Sequence, residues 1–284
     1  MQRIFGIVSL ALAFLIAGCQ TQTRSNGESV LPDSEVVSPL SYYQGIDSRL
    51  TGSELKAALH ELIDDHTQYP YTSSRPDTWD ALIEIDAAAG LPGFVQTLYT
   101  RELLRSDQHN SGSDQWNREH VWAKSRGDFG TSLGAGTDLH HLRVADSSVN
   151  SSRNNKSFMN GGELVYDLDG ALRTQTLCRT DNDQWTFEPP DEVKGDIARM
   201  LLYMAVRYEG DSGEPDLELG DVLPGKDDKR PIHGHLNTLL EWHHADPVSE
   251  EERIRNERVQ AWQGNRNPFI DHPEWAASIW LNAQ

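Results

Sequence analysis

Apolar residues recur every three or four positions in several stretches of this chain, and this spacing predicts helices with one buried face. In the clearest stretch, 195–208, the residues on the shared face are Ile197, Met200, Leu201, Met204 and Tyr208. The other predicted helices are, in chain order, one from Thr51, 78–88, 235–244, 249–262, and one from Pro273. Thr51 with Glu54, and Ser249 with Glu252, have the spacing of a capping box at a helix start.

Shorter stretches predict strands. Residues 94–99 have strand character, and 163–168 and 171–177 flank an Asp169-Gly170 pair that is typical of a hairpin turn. Two further strands are predicted near 117–122 and 138–144, joined by a loop with glycines at 127, 130, 134 and 136. Asp146 or Ser147 then caps a short helix that holds Asn150 in or near its first turn. The pattern predicts one mixed α+β domain with a strand–loop–strand–helix unit surrounded by helices.

The first residues have the features of an export signal. Arg3 precedes a short apolar run over 4–16, and Leu15-Ile16-Ala17-Gly18-Cys19 resembles a lipobox. We therefore expect a lipoprotein signal peptide over 1–18 and lipidation of Cys19; the alternative is an ordinary signal peptide with an incidental cysteine. Gln20 stands where an Asp would be the usual signal for retention in the inner membrane, so by resemblance to lipoproteins the outer membrane is favoured. A periplasmic or extracellular product is the alternative. A polar tether over 19–40 and a folded domain over 41–284 complete the prediction.

The two cysteines bear on disulfide formation, and the net charge bears on the kind of partner that the chain can bind. If Cys19 is lipidated, Cys178 has no partner within the chain, so no disulfide is expected. A net charge of −19 argues against a polyanionic partner. Residues 116–158, however, contain six basic and four acidic residues, a local net charge of +2. An acidic exterior also suits solubility or high salt, so composition alone does not indicate a nuclease.

Candidate chemistry is concentrated in this basic window. Glu119 and His120 lie in the sequence WNREHVW, and Asn150 follows His120 by thirty residues. A histidine can deprotonate water near neutral pH, and carboxylate and amide oxygens are hard ligands that suit Mg²⁺. Arginine matches phosphate oxygens. This combination suits metal-assisted cleavage of a phosphodiester.

Several blocks of sequence resemble the bacterial endonuclease I family. They are NREHVW, GDFG, GTDLHHLR, SVNSSRNNKSF, FEPPDEVKGDIARMLLYMAVRYEGD and QGNRNPFIDHPEW, spread over about residues 42–280. Ala123 and Val144 stand where the family pattern has proline, which affects loop rigidity and not chemistry. The resemblance implies an exported nuclease built on a ββα-metal (His-Me) finger. Its substrates would be DNA and RNA, cut by water with little sequence specificity to leave 5′-phosphate and 3′-hydroxyl ends.

The resemblance also implies roles for individual residues. His120 would be the general base, and Glu119 and Asn150 would bind one divalent ion, Mg²⁺. Arg126 and Arg153 are candidates to hold a phosphate oxygen, and a solvated or capping arginine is the equally weighted alternative for each. Residues expected to support the site or anchor loops are Asp138, His140, His141, Asn154, Arg266 and Asn267.

Two other functions are compatible with parts of the sequence. A zinc hydrolase could use the C-terminal residues His233, His235, His243, His244 and Asp246, but a helix over 235–244 would separate His235 from His243 by two turns. A catalytically idle lipoprotein could bind nucleic acid or a partner, although such a protein has no need of an intact Glu119, His120 and Asn150. We expect a monomer with no protein partner.

Overall fold

A two-stranded antiparallel sheet and the helix that follows it lie beside the cleft described below. The computed structural model describes residues 37–281 apart from residues 75, 111 and 113. Strand β3 (Trp116–His120) pairs with β4 (Leu142–Asp146), and helix α4 (Ser147–Arg153) starts directly after β4. Asp146 caps α4, since its side chain accepts from the backbone amides of Ser148 and Val149. The predicted order of strand, loop, strand and helix is confirmed.

The remaining elements surround this unit. The other α-helices are α1 (Pro39–Tyr42), α2 (Gly52–Ile63), α3 (Thr78–Ile85), α5 (Lys194–Arg207), α6 (Leu236–Ala245), α7 (Glu250–Gln263), α8 (Pro268–Asp271) and α9 (Glu274–Trp280). The other strands are β1 (Phe94–Gln96), β2 (Leu103–Arg105), β5 (Ser157–Phe158), β6 (Glu163–Asp169), β7 (Leu172–Asp181), β8 (Thr186–Glu188), β9 (Glu218–Gly220) and β10 (Ile232–His235). Short 3-10 turns span Asp191–Val193 and Asp211–Gly213.

The described strands form four small sheets. Three are pairs, β1-β2, β3-β4 and the parallel β9-β10. The fourth has the order β5-β8-β7-β6, in which β6 and β7 form the predicted hairpin and β5 runs parallel to β8. The described part of the chain is thus a mixed α+β structure, as predicted, and it belongs to one compact unit.

Helix α5 runs through the main hydrophobic core and is buried along nearly its whole length. We predicted an amphipathic helix here, and the structure instead covers its polar positions as well. Arg199 forms a buried ion pair with Glu252, and Arg207 pairs with Glu214. Burial of these arginines is possible because each has a carboxylate partner.

The helix starts were predicted with mixed success. Ser249 and Glu252 form the expected capping box at α7. At α2 the expected box is wrong, because Thr51 makes no capping hydrogen bond through its side chain. A capping box is found instead at α3, between Asp77 and Asp80.

The N-terminal predictions fall almost wholly outside the described residues. The signal peptide, Cys19 and all but the end of the tether belong to residues 1–36, and the last two tether residues, 39 and 40, open helix α1. Cys178 is a buried free thiol. None of the helices in the described ranges is long and apolar enough to cross a membrane.

Candidate active site

An open cleft of about 590 Å³ lies beside the end of β3 and helix α4. Its wall includes Glu119, His120 and Asn150, the three residues expected to carry the chemistry. Neighbouring side chains of a strand normally point to opposite faces, so Glu119 and His120 could share a site only where the strand ends or bends. Strand β3 does end at His120, and both residues line the cleft.

The ring of His120 is held in one tautomer. Its Nε2 lies 3.0 Å from the backbone oxygen of Gly136, in the glycine-rich loop between β3 and β4. Because a carbonyl only accepts hydrogen bonds, Nε2 carries the proton and Nδ1 carries the lone pair. Burial, with His141 nearby, lowers the pKa of His120 well below its usual value. The ring is therefore uncharged at neutral pH, and Nδ1 is able to accept a proton.

Glu119 is buried beneath the cleft and is held through one oxygen. Its Oε1 accepts from the Tyr99 hydroxyl at 2.5 Å and lies 3.0 Å from Nη1 of Arg153. Burial raises the pKa of this carboxyl, and the Arg153 charge and the Tyr99 hydrogen bond partly offset that effect. Tyr99 was not singled out by the sequence. Both contacts use Oε1, which fixes the orientation of the carboxylate.

Asn150 projects from α4 into the same cleft. Its Nδ2 donates to Oδ1 of Asn117 at 2.6 Å, and Asn117 lies on β3 and also lines the cleft. This bond uses the amide nitrogen, so the amide oxygen of Asn150 is left to act as a ligand. The carboxylate of Glu119 and the amide of Asn150 form a set of hard oxygen donors, and that chemistry fits a divalent cation such as Mg²⁺.

The two arginines expected at phosphate are structural in their contacts. Arg153 reaches the cleft wall, but its guanidinium donates to the backbone oxygens of His120 and Val121 and pairs with Glu119. Arg126 is fully buried and does not line the cleft. Its guanidinium donates to the backbone oxygens of Asn155, Pro224, Gly225 and Asp228. Both guanidinium groups thus bind backbone oxygens of the protein itself and hold the segments that carry them in place.

Besides Arg153, the described cationic residues on the cleft wall are Arg118 and Lys124. Lys124 is exposed, whereas Arg118 is clamped between two aromatic rings, 3.4 Å from the centroid of Tyr71 and 3.8 Å from that of Trp79. Tyr71 in turn stacks on His120, with ring centroids 5.4 Å apart. This stack could not be predicted from the sequence, because Tyr71 and Trp79 lie about forty residues before β3. It fixes the position of the His120 ring.

A model of the Endonuclease I family matches residues 51–274. The chain belongs to the Endonuclease I family. It is also similar to an extracellular ribonuclease of Bacillus subtilis (strain 168), with 46% identity over 273 residues that cover 96% of this chain and 89% of that protein. An extracellular ribonuclease of Bacillus amyloliquefaciens is 46% identical over 265 residues, covering 91% of this chain and 86% of its own. The resemblance inferred from the motifs is confirmed, and the chain is a nuclease and not an idle binding protein.

A buried polar network supports the cleft of this nuclease. Asp138 accepts hydrogen bonds from the hydroxyls of Tyr203 and Tyr208, each at 2.9 Å, and from Gln263. His141 contacts the backbone oxygen of Ala135 at 2.7 Å, and burial lowers its pKa to about 4. These contacts join the loop before β4 to α5 and to the end of α7.

The other residues expected to act as anchors occupy supporting positions. His140 Nε2 lies 3.3 Å from the backbone oxygen of Asn265. Arg266 forms a buried ion pair with Asp271, and Asn267 caps α8. Asn154 ends α4 with a left-handed backbone and lines the cleft. Arg266 and Asn267 are not among the residues that line the cleft.

Three of the C-terminal histidines contact other groups. His233 is buried against Arg153, and His243 contacts the backbone oxygen of Pro273. His235 contacts Thr238. Within residues 37–281, leaving aside the three gaps, no three His, Cys, Asp or Glu side chains are grouped so that they could hold a metal ion. The geometry gives no support to a zinc hydrolase.

Substitutions of Lys124 and Arg126 distinguish a basic residue that binds substrate from one that stabilises the fold. We expect Lys124→Ala to weaken substrate binding without changing the melting temperature, because an exposed cation is lost. Arg126→Met should lower the stability by roughly 3 kcal/mol, since one buried and three partly buried hydrogen bonds to backbone oxygens lose their donor. The activity per folded molecule should stay unchanged. Thermal melts measure the stability of each variant, and initial rates at several substrate concentrations measure its substrate affinity and turnover. If Arg126→Met has normal stability and reduced substrate affinity, Arg126 binds phosphate after all.

Proposed function

We propose that this nuclease is exported and hydrolyses phosphodiester bonds of RNA and DNA, with one bound Mg²⁺ and little sequence specificity. The observation that carries the proposal is the presence of Glu119, His120 and Asn150 on the wall of one cleft. The cleft thus has a neutral imidazole beside two side chains that offer oxygen ligands. We regard the unit of two strands and a helix that carries them as a ββα-metal finger. Arg118 and Lys124 supply positive charge on the same wall.

The side chains of the cleft have separate tasks in this mechanism. Nδ1 of His120 takes a proton from a water molecule, and the oxygen of that water forms a bond to phosphorus. The bond from phosphorus to the 3′-oxygen breaks, and that oxygen is protonated by solvent. The products carry a 5′-phosphate and a 3′-hydroxyl. Glu119 and Asn150 would hold the cation, whose positive charge would lower the energy of the charged phosphate as it reacts.

The range of substrates follows from the fact that these groups act on the phosphate of the substrate. The imidazole, the cation and the basic side chains all act on phosphate, and phosphate contacts carry no base sequence. The reaction does not use a 2′-hydroxyl, so DNA should be cut as well as RNA. RNA cleavage is also supported by the similar proteins that are named ribonucleases.

Export is proposed on two grounds. The similar proteins are named extracellular, and the first residues of this chain have the pattern of a lipoprotein signal. A lipid on Cys19 would keep the enzyme on a membrane, and we propose the outer membrane. Without that lipid, the enzyme would be free in the periplasm or the medium.

The experiment is a side-by-side digestion of end-labelled RNA and DNA oligonucleotides of mixed sequence in the presence of Mg²⁺. We expect ladders from both polymers, with 5′-phosphate ends and little dependence on base. Resistance of DNA combined with 3′-phosphate ends on RNA would point to attack by the 2′-hydroxyl and would contradict the proposed mechanism. The same assay on cell fractions tests export, since activity confined to the cytoplasm would contradict it.

A further inference from the structure

Half of the lysines of this acidic chain form no ion pair in the part of the chain that the structure describes. All six lie in the described residues, and three have a carboxylate within 4.0 Å, namely Lys56, Lys194 and Lys229. No ion pair of the described structure includes the other three, Lys124, Lys156 and Lys226. In a protein with a net charge of −19, unpaired cations mark a surface where an anion is favoured.

The three unpaired lysines lie in the active-site cleft or beside one tryptophan ring. Lys124 lines the cleft itself. The ammonium nitrogens of Lys156 and Lys226 lie 4.6 Å and 5.4 Å from the ring centroid of Trp185. Lys156 is buried, whereas Lys226 is exposed. The surface therefore combines an aromatic ring with positive charge, the combination that binds single-stranded nucleic acid.

Trp185 occupies the turn between β7 and β8 and is only partly buried. Its φ of +59° is in the left-handed region, which a bulky side chain adopts only when its surroundings hold it there. The constraint is visible, because the indole Nε1 donates to Oδ1 of Asn155 at 2.7 Å. The ring is thus set in a fixed position at the surface.

Asn155 joins this ring to the active site. It lines the cleft, and its Nδ2 donates to Oγ of Ser125, another cleft residue, at 3.0 Å. The same amide nitrogen donates to the backbone oxygen of Lys226 at 2.9 Å. One side chain therefore connects the cleft, the Trp185 ring and the Lys226 loop.

A second open pocket, of about 560 Å³, is bounded by Trp185 and Lys226. Lys156 does not line it, so a ligand would meet the Trp185 ring from the side of the exposed lysine. Asp183 also lines this pocket, and its carboxylate would repel a phosphate. The favourable position for phosphate is therefore next to Lys226.

We propose that Trp185 and Lys226 form a subsite beside the catalytic cleft that binds an unpaired nucleotide of the substrate strand. The base stacks on Trp185, and its phosphate lies near Lys226. This inference rests on the proposed function, because it supplies the substrate strand, and it adds a preference for single-stranded over double-stranded nucleic acid. A duplex cannot offer a base to the ring without first losing a base pair.

The test measures binding of labelled single-stranded and duplex 12-nucleotide DNA in EDTA, with a gel to confirm that the DNA stays intact. Trp185→Ala should bind the single strand about tenfold or more weakly, which is the usual effect of removing a stacking ring, and Trp185→Phe should retain most of the affinity. Duplex binding should change little. Melting temperatures show whether each variant is folded.

Lys226 has a matched control in its own loop. Lys226→Ala and Lys229→Ala remove the same charge, but Lys229 is already paired with Asp128. Loss of one phosphate contact should lower the slope of log affinity against log salt by about 0.7 for a single strand. We expect that change for Lys226→Ala and none for Lys229→Ala.

The outcomes separate the subsite from the proposed function. Unchanged single-strand binding in folded Trp185→Ala and Lys226→Ala, with normal nuclease activity, would overturn the subsite alone. Equal losses on single strand and duplex would overturn stacking of an unpaired base. Cleavage of the DNA in EDTA, seen on the gel, would instead contradict the metal-dependent mechanism. The subsite would then be tested by comparing binding at the shortest incubation, before the DNA is cut.

Discussion

Replacing His120 with alanine should lower the turnover number by at least about a hundredfold, the usual minimum contribution of a general base. His120 lines the cleft, and its Nδ1 carries no proton. The hydrogen bond from Nε2 to the backbone oxygen of Gly136 keeps the ring proton on Nε2. The substitution removes the group that takes the proton from water. It leaves the proposed ligands Glu119 and Asn150 in place, so Mg²⁺ should still bind.

The matched control is His109→Ala. His109 stacks on Trp79, which contacts the other face of Arg118, but it does not line the cleft. Both substitutions remove an imidazole from one group of packed rings, and only one should abolish catalysis. Rates on a labelled oligonucleotide, with melting temperatures, give the comparison. A folded His120→Ala variant that keeps more than about a tenth of the wild-type turnover would exclude His120 as the base.

The second large effect is expected at the two proposed ligands. Glu119→Gln and Asn150→Ala should each raise the Mg²⁺ concentration needed for half-maximal activity by about tenfold or more, because even residues behind the ligands contribute that much to metal affinity. Turnover should fall as well. Glu119→Gln also leaves Arg153 without its buried counter-ion, so some loss of stability is expected at that position.

Asn150→Ala distinguishes the loss of metal affinity from the loss of stability more clearly than Glu119→Gln does. Alanine is a good helix former, so α4 should remain folded. Ser151→Ala, one residue later in the helix and also on the cleft wall, is the control and should titrate with Mg²⁺ like the wild type. Activity measured over a Mg²⁺ series gives the result. If both ligand variants saturate at the wild-type concentration, Glu119 and Asn150 do not bind the cation.

The local features of the site could be predicted from the sequence. The Asp146 cap and the strand patterns near 117–122 and 138–144 depend on neighbouring residues, and they correctly indicate β3, β4 and α4. The end of β3 at His120 was not predicted. Family motifs then identified Glu119, His120 and Asn150 as the candidates. Each of these inferences needs only residues that are close in the chain or a motif that was already known.

Long-range contacts could not be predicted. Arg126 and Arg153 have the right chemistry for phosphate, and only the folded structure shows that backbone oxygens from distant loops occupy them. The clamp around Arg118 depends in the same way on Tyr71 and Trp79. A residue type states what a side chain can bind, whereas its partners are decided by the tertiary fold.

The most direct test of the central claim is cleavage of single-stranded DNA by the wild-type enzyme before and after removal of metal. DNA has no 2′-hydroxyl, so its cleavage requires another nucleophile, which in this account is water activated by His120. We predict cleavage in Mg²⁺, loss of activity in EDTA, and recovery when Mg²⁺ is restored. Full activity in EDTA, or RNA cleavage that continues in EDTA while DNA stays intact, would contradict the account.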